Sequence, residues 1–136
     1  MEVFNTSTWE REKVFKGHTG SVLSLAWSPD GTRLASGEGT DQILPHHQAD
    51  NKNVIIIWDA IDGSILHKLT GHKDSILSLS WSANSSRLAS ASDGRNLKLW
   101  DPGSGELIYT LGEGVGHSAG VLDVDWSPNQ TKLVSG

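Results

Sequence analysis

Four positions recur in register three times along this chain, and that recurrence limits the fold more than any single residue does. His18 to Trp27, His72 to Trp81 and His117 to Trp126 are each nine residues apart. From each tryptophan a leucine follows at seven (Leu34, Leu88, Leu133) and a serine at nine (Ser36, Ser90, Ser135). A chain built this way buries apolar surface between neighbouring copies, so the array sets its size and the usual one-core domain does not. The histidines are 54 and 45 residues apart. The two spacings differ, so the copies carry insertions.

Each copy opens on a run of period two, the pattern of a strand. The large residues Leu23, Leu25 and Trp27 alternate with Val22, Ser24, Ala26 and Ser28. In the next copy Leu77, Leu79 and Trp81 alternate with Ile76, Ser78, Ser80 and Ser82, and in the third Leu122, Val124 and Trp126 with Val121, Asp123, Asp125 and Ser127. One bulky and one small face suit a sheet covered on both sides by other sheets. Turn residues follow at 28–31, 83–86 and 127–130, then further strand-like runs at 33–36, 87–92 and 132–135. Runs rich in β-branched and aliphatic residues occupy 54–58 and 96–100, and last runs 64–69 and 106–111. No stretch holds a period of 3.6, so essentially no helix is expected.

The Gly71-His72 and Gly116-His117 pairs, the Ser28-Pro29-Asp30-Gly31 turn and the closing Trp100-Asp101 resemble the WD40 repeat family. The resemblance implies an all-β architecture of four-stranded antiparallel propeller blades, with strands a to d running from hub to rim. Trp58 precedes His72 by fourteen residues and Phe4 precedes His18 by fourteen, so the chain enters inside a blade. Residues 1–16 then supply strands c and d, 17–69 a full repeat with an insertion at about 38–53, 70–111 a second, and 112–136 strands a and b of a truncated third. Three blades' worth of strands make an incomplete ring, since propellers close with about four to eight blades. The chain is expected either to be a fragment of a larger propeller or to pair with a second copy through complementary half-blades, giving six blades in a homodimer.

The resemblance further implies a buried hydrogen-bond chain in each blade. By position it comprises His18, Ser36 and Trp58 in the first copy, His72, Ser90 and Trp100 in the second, with Asp93 as the turn aspartate, and His117 and Ser135 in the third. Buried indole, hydroxyl and imidazole groups each need a partner, and such a network orders a loop against a strand. A serine, a histidine and an acid also raise a hydrolase reading, which fails because the serine lies inside a strand and repeats with every copy. Asp123 and Asp125 share a strand face near the hub, where small or acidic residues are ordinary.

The insertion is the chain's one idiosyncratic feature, because Ser36 to Trp58 spans 22 residues and Ser90 to Trp100 only ten. It carries Asp41, Gln42, His46, His47 and Asp50, a candidate partner-binding loop. His46, His47 and Asp50 lack the spacing of a preformed metal site, so no metal and no cofactor is expected. A second insertion occupies 112–115.

A net charge of −5 and a pI near 5.6 give no basic stripe for phosphate backbones, so no nucleic acid is expected. Without cysteine there is neither disulfide nor thiolate metal site. No signal peptide and no apolar run long enough to span a membrane is visible, which predicts a cytoplasmic protein. The reading for function is a non-catalytic scaffold for a protein or peptide partner. A sensing propeller within a larger signalling enzyme is the alternative, full-length context deciding between them.

Overall fold

The structure, a computed structural model, describes residues 1–39, 53–112 and 116–136. The candidate loop residues Asp41, Gln42, His46, His47 and Asp50 lie outside the described residues. Those described form twelve strands and no helix: β1 (Glu2–Phe4), β2 (Arg11–Val14), β3 (Ser21–Trp27), β4 (Arg33–Gly39), β5 (Ile55–Asp59), β6 (Ile65–Leu69), β7 (Ile76–Trp81), β8 (Leu88–Ser92), β9 (Leu97–Asp101), β10 (Glu106–Leu111), β11 (Val124–Trp126) and β12 (Leu133–Ser135). They make an N-terminal hairpin β1-β2, a first sheet β3-β4-β5-β6, a second sheet β7-β8-β9-β10 and a C-terminal hairpin β11-β12. All pairings given are antiparallel, and each sheet is a meander whose neighbours in sequence are neighbours in space.

The four units stack face to face, and the core is the apolar filling between them. Phe15, Ile56 and Trp58, with Met1 and Val3, fill the space between the N-terminal hairpin and the first sheet. Ile55, Ile57 and Leu69 meet Ile76, Trp81 and Trp100 between the two sheets. Ala89, Ala91 and Leu97 meet Val121 and Val124 against the C-terminal hairpin. Burying a large aliphatic side chain contributes roughly 1.5 to 3 kcal/mol, so most of the stability lies between sheets and little within one.

The alternation of the first strands is broken at one place in each sheet. The register of β7 shifts between Ile76 and Ser78, so that Ile76 faces Ser92 and Leu79 faces Ser90. This bulge turns Ile76 onto the face of Leu79 and Trp81, where it is fully buried, although strict alternation puts it with the serines. β3 shifts in the same way between Val22 and Ser24. Val121 likewise leaves the face of Asp123 and Asp125 and is buried against the second sheet.

One turn is built three times. Ser28 Oγ donates to Asp30 Oδ1 at 2.6 Å and accepts from the Arg33 N–H at 2.9 Å. Ser82 with Asn84 and Arg87, and Ser127 with Asn129 and Lys132, repeat it at 2.8 and 2.9 Å. The residue four after each tryptophan takes a positive φ, 71° at Gly31, 58° at Ser85 and 60° at Gln130, and only the first is the glycine that adopts it without strain.

The described units do not close into a ring. Trp81 is 6% exposed under the first sheet, whereas Trp27, at the same place in the repeat, is 50% exposed because the N-terminal hairpin does not reach it. Leu69 is 2% exposed and its counterpart Leu111 37%, because the C-terminal hairpin covers only the inner strands of its neighbour.

Candidate functional site

In the first sheet Trp58 Nε1 donates to Ser36 Oγ at 2.7 Å, Ser36 Oγ lies 2.6 Å from His18 Nε2, and His18 Nδ1 lies 3.0 Å from Glu38 Oε2. The second sheet repeats the chain, with Trp100 Nε1 to Ser90 Oγ at 2.8 Å, Ser90 Oγ to His72 Nε2 at 2.6 Å and His72 Nδ1 to Asn96 Oδ1 at 3.0 Å. Cross-strand register places the members: Leu34 faces Trp58 and Ser36 faces Ile56, so one face of β4 and β5 carries the hydroxyl and the indole together. The glycine of the Gly-His pair makes room for the indole, since a Cβ on Gly17 would lie 2.8 Å from Trp58 Cη2.

Proton bookkeeping gives the chain one direction. In the first sheet the Glu38 carboxylate accepts from His18 Nδ1, and the Ser36 hydroxyl oxygen accepts from the indole N–H. In the second sheet Asn96 Nδ2 donates to Gly94 O at 3.4 Å, which turns the amide oxygen toward His72 and fixes the same tautomer. Burial, with the nearby Lys98 ammonium, pushes the His72 pKa down to about 4 against the opposing Asn96 hydrogen bond, so the ring is neutral near pH 7.

Asp93 is not the acceptor for His72. The path of the chain through the positive-φ Arg95 brings Asn96 there, and the Asp93 carboxylate lies against Gly120, where an added Cβ would be 2.0 Å from Oδ1. In the first copy the role falls to Glu38, at the end of β4, which sequence spacing also missed. His117 Nε2 lies 2.9 Å from Ser135 Oγ, and no indole donor to that hydroxyl is found among the described residues.

Ser36, His18 and Glu38 together have the connectivity of a hydrolytic triad, but Ser36 has no exposed surface and its oxygen already receives the indole proton. A nucleophile needs a face open to substrate, and here the serine is sealed inside a sheet. The paired aspartates of the C-terminal hairpin region are also engaged. Asp123 accepts from Ser78 Oγ at 2.6 Å and Asp125 from Ser80 Oγ at 2.9 Å, tying the C-terminal hairpin to β7.

A further role was not read from sequence. The aspartate of each Trp-Asp pair caps the next turn: Asp59 Oδ1 accepts from the Ile61 and Asp62 N–H groups, and Asp101 Oδ1 from those of Gly103 and Ser104. Asn5 does the same for Ser7 and Thr8. The signal that could have found it is the short carboxylate or amide followed by turn residues in all three places. No group of three or more metal-ligating side chains occurs among the described residues, and no helix among them is long and apolar enough to cross a membrane.

The family model for the WD domain, G-beta repeat, matches residues 9–45, 63–101 and 105–136. Among curated relatives, the chromatin assembly factor 1 subunit FAS2 homolog of Oryza sativa is 33% identical over 92 residues, covering 68% of this chain and 16% of the relative. The U5 small nuclear ribonucleoprotein 40 kDa protein of Dictyostelium discoideum is 34% identical over 98 residues, covering 71% and 24%. Human striatin is 38% identical over 88 residues, covering 64% and 11%. The matches thus span less than a quarter of each of these relatives. Three matched segments, with the Trp–Ser–His chain built twice in full, make this chain a member of the WD40 repeat family.

Proposed function

We propose that this chain supplies part of a WD-repeat platform on which a protein or peptide partner assembles. The observation that carries the reading is that the repeat's reactive side chains are spent inside the sheets: Ser36, Ser90, His18 and His72 all sit in hydrogen-bond chains that hold strand to loop. What the sheets leave for recognition is their turns and loops, held on a rigid stack. The names of two relatives, a chromatin assembly factor subunit and a protein of the U5 ribonucleoprotein, describe components of larger assemblies and support the same class of role. A net charge of −5 favours a protein partner over a nucleic acid backbone. We assign the partner contact to the insertion that carries Asp41, Gln42, His46, His47 and Asp50. In-cell cross-linking of the intact chain, compared with a variant in which 41–50 is replaced by a short Gly-Ser turn, tests the assignment. Loss of specific cross-links with the strand signal of circular dichroism retained is the expected result, and an unchanged set of cross-linked proteins overturns it.

A second reading is self-association through the two hairpins. It is favoured by the paired bare surfaces, Trp27 beside the N-terminal hairpin and Leu111 beside the C-terminal one.

A further inference from the structure

The two complete Trp–Ser–His chains end on different acceptors, and the difference follows the length of the connection between the second and third strands of each sheet. In the second sheet only residues 93–95 separate Ser92 from Asn96. That turn is drawn tight: the Gly94 N–H donates to Ser92 Oγ and the Arg95 N–H to Ser92 O, both at 3.1 Å, and Arg95 takes a φ of 66°. Asn96 stands on its far side, 3.0 Å from His72 Nδ1, with its amide oriented by the bond from Nδ2 to Gly94 O inside the turn. The acceptor of the second sheet thus depends on the connection staying short.

In the first sheet the same two places are filled differently. Glu38 holds the register of Ser92, since Val22 faces Glu38 as Ile76 faces Ser92. Val54 holds that of Asn96, because the Glu38 N–H donates to Val54 O at 3.0 Å as the Ser92 N–H does to Asn96 O at 3.2 Å. Valine offers no side-chain acceptor, and residues 39–53 separate it from Glu38. The acceptor stands instead on β4, ahead of the connection. Glu38 is buried; its Oε2 lies 3.0 Å from His18 Nδ1 and its Oε1 accepts from Thr19 Oγ1 at 3.1 Å. The loop makes room for it, since a Cβ on Gly20 would lie 2.5 Å from Glu38 Oε1, whereas the second copy carries Asp74 at that place, its carbonyl accepting from Ser92 Oγ at 3.0 Å. Gly20, Glu38 and Val54 therefore differ as a set from Asp74, Ser92 and Asn96.

We infer that Glu38 is a positioning residue that completes the Trp58–Ser36–His18 chain from β4 itself, so that the first sheet stays closed independently of residues 40–52. A carboxylate suits the task, because its two oxygens serve the imidazole and the Thr19 hydroxyl together, whereas the Asn96 amide has one acceptor oxygen and spends its N–H on the turn. The connection is thereby released from any part in holding the sheet, which the second sheet does not allow. One consequence rests on the partner reading above: a contact made on the insertion leaves the hydrogen-bond chain beneath it intact.

The test is hydrogen exchange of the Trp58 and Trp100 indole N–H groups in the 136-residue chain, read by NMR. Replacing 40–52 residue for residue by Gly and Ser is expected to leave Trp58 exchange within about threefold of wild type. A Gly-Ser segment of the same length placed between Gly94 and Arg95 is expected to speed Trp100 exchange by about tenfold or more. Glu38→Ser is expected to speed Trp58 exchange by about tenfold and leave Trp100 unchanged, and Glu38→Gln, which keeps an acceptor oxygen, to stay closer to wild type. Adding Val54→Asn to Glu38→Ser is expected to restore Trp58 protection only when the connection is also cut to the length of 93–95. Loss of Trp58 protection when 40–52 is replaced overturns the inference. So does a Glu38→Ser variant with unchanged Trp58 exchange, or full rescue by Val54→Asn on the long connection. Cross-linking reads the partner contact and indole exchange reads the sheet, so the two readings can fail separately.

Discussion

Replacing Ser90 by alanine removes one oxygen and leaves two buried groups without partners. The hydroxyl accepts from Trp100 Nε1 at 2.8 Å and meets His72 Nε2 at 2.6 Å, and all three residues are buried. No solvent replaces it, so the indole N–H and the imidazole nitrogen each lose a partner at about 1 to 3 kcal/mol. The expected loss is therefore about 2 to 6 kcal/mol, a large share of the roughly 5 to 15 kcal/mol that holds a typical domain folded. Urea unfolding followed by circular dichroism and tryptophan fluorescence measures it, with Ser7→Ala as an exposed control expected within about 0.5 kcal/mol of wild type. Because the two orphaned groups share one oxygen, Trp100→Phe should cost less in the Ser90→Ala background than alone. A Ser90→Ala loss below about 1 kcal/mol, or additive effects of the two changes, would refute the reasoning that the chain acts as one unit.

His72 makes stability depend on pH. Its pKa is about 4 in the fold against 6.5 as the ordinary value, so the unfolded chain binds the extra proton between those limits. The contribution is full above pH 6.5 and falls away as the pH drops toward 4, by about 3 kcal/mol in all; a His72 ring that titrates near 6.5 by NMR would contradict it. Gln130→Gly should stabilise by about 0.5 to 1 kcal/mol, read as a higher urea midpoint, since φ is 60° there and glycine already holds that position at Gly31. Gly17→Ala should destabilise by roughly 1 to 3 kcal/mol in the same assay, because the new Cβ meets Trp58 Cη2 at 2.8 Å and Ile65 Cδ1 at 2.9 Å.

The fold was legible because a strand that is covered on both faces writes its period into the sequence, and because histidine, tryptophan, leucine and serine fall at fixed offsets. Two things escaped. A bulge leaves no mark in a period count, so Ile76 reads as a neighbour of serines when the shift between Ile76 and Ser78 turns it into the core. The acceptor for each histidine depends on how the backbone leaves the second strand of the sheet. Glu38 reaches His18 from the end of β4, while Asn96 reaches His72 from beyond the positive-φ Arg95, and no common spacing from the serine predicts both. The same limit misdirects Asp93, which is close in sequence and turned toward Gly120 in space.

Hydrogen exchange of the six indole N–H groups, resolved by ¹⁵N NMR, tests most directly whether the buried Trp–Ser–His chain holds each sheet closed. Trp58 and Trp100 should exchange only through opening of their sheets, with protection close to that of the central strand amides, while Trp9, exposed at its turn, exchanges within the dead time. Exchange of Trp58 and Trp100 as fast as Trp9 would contradict it.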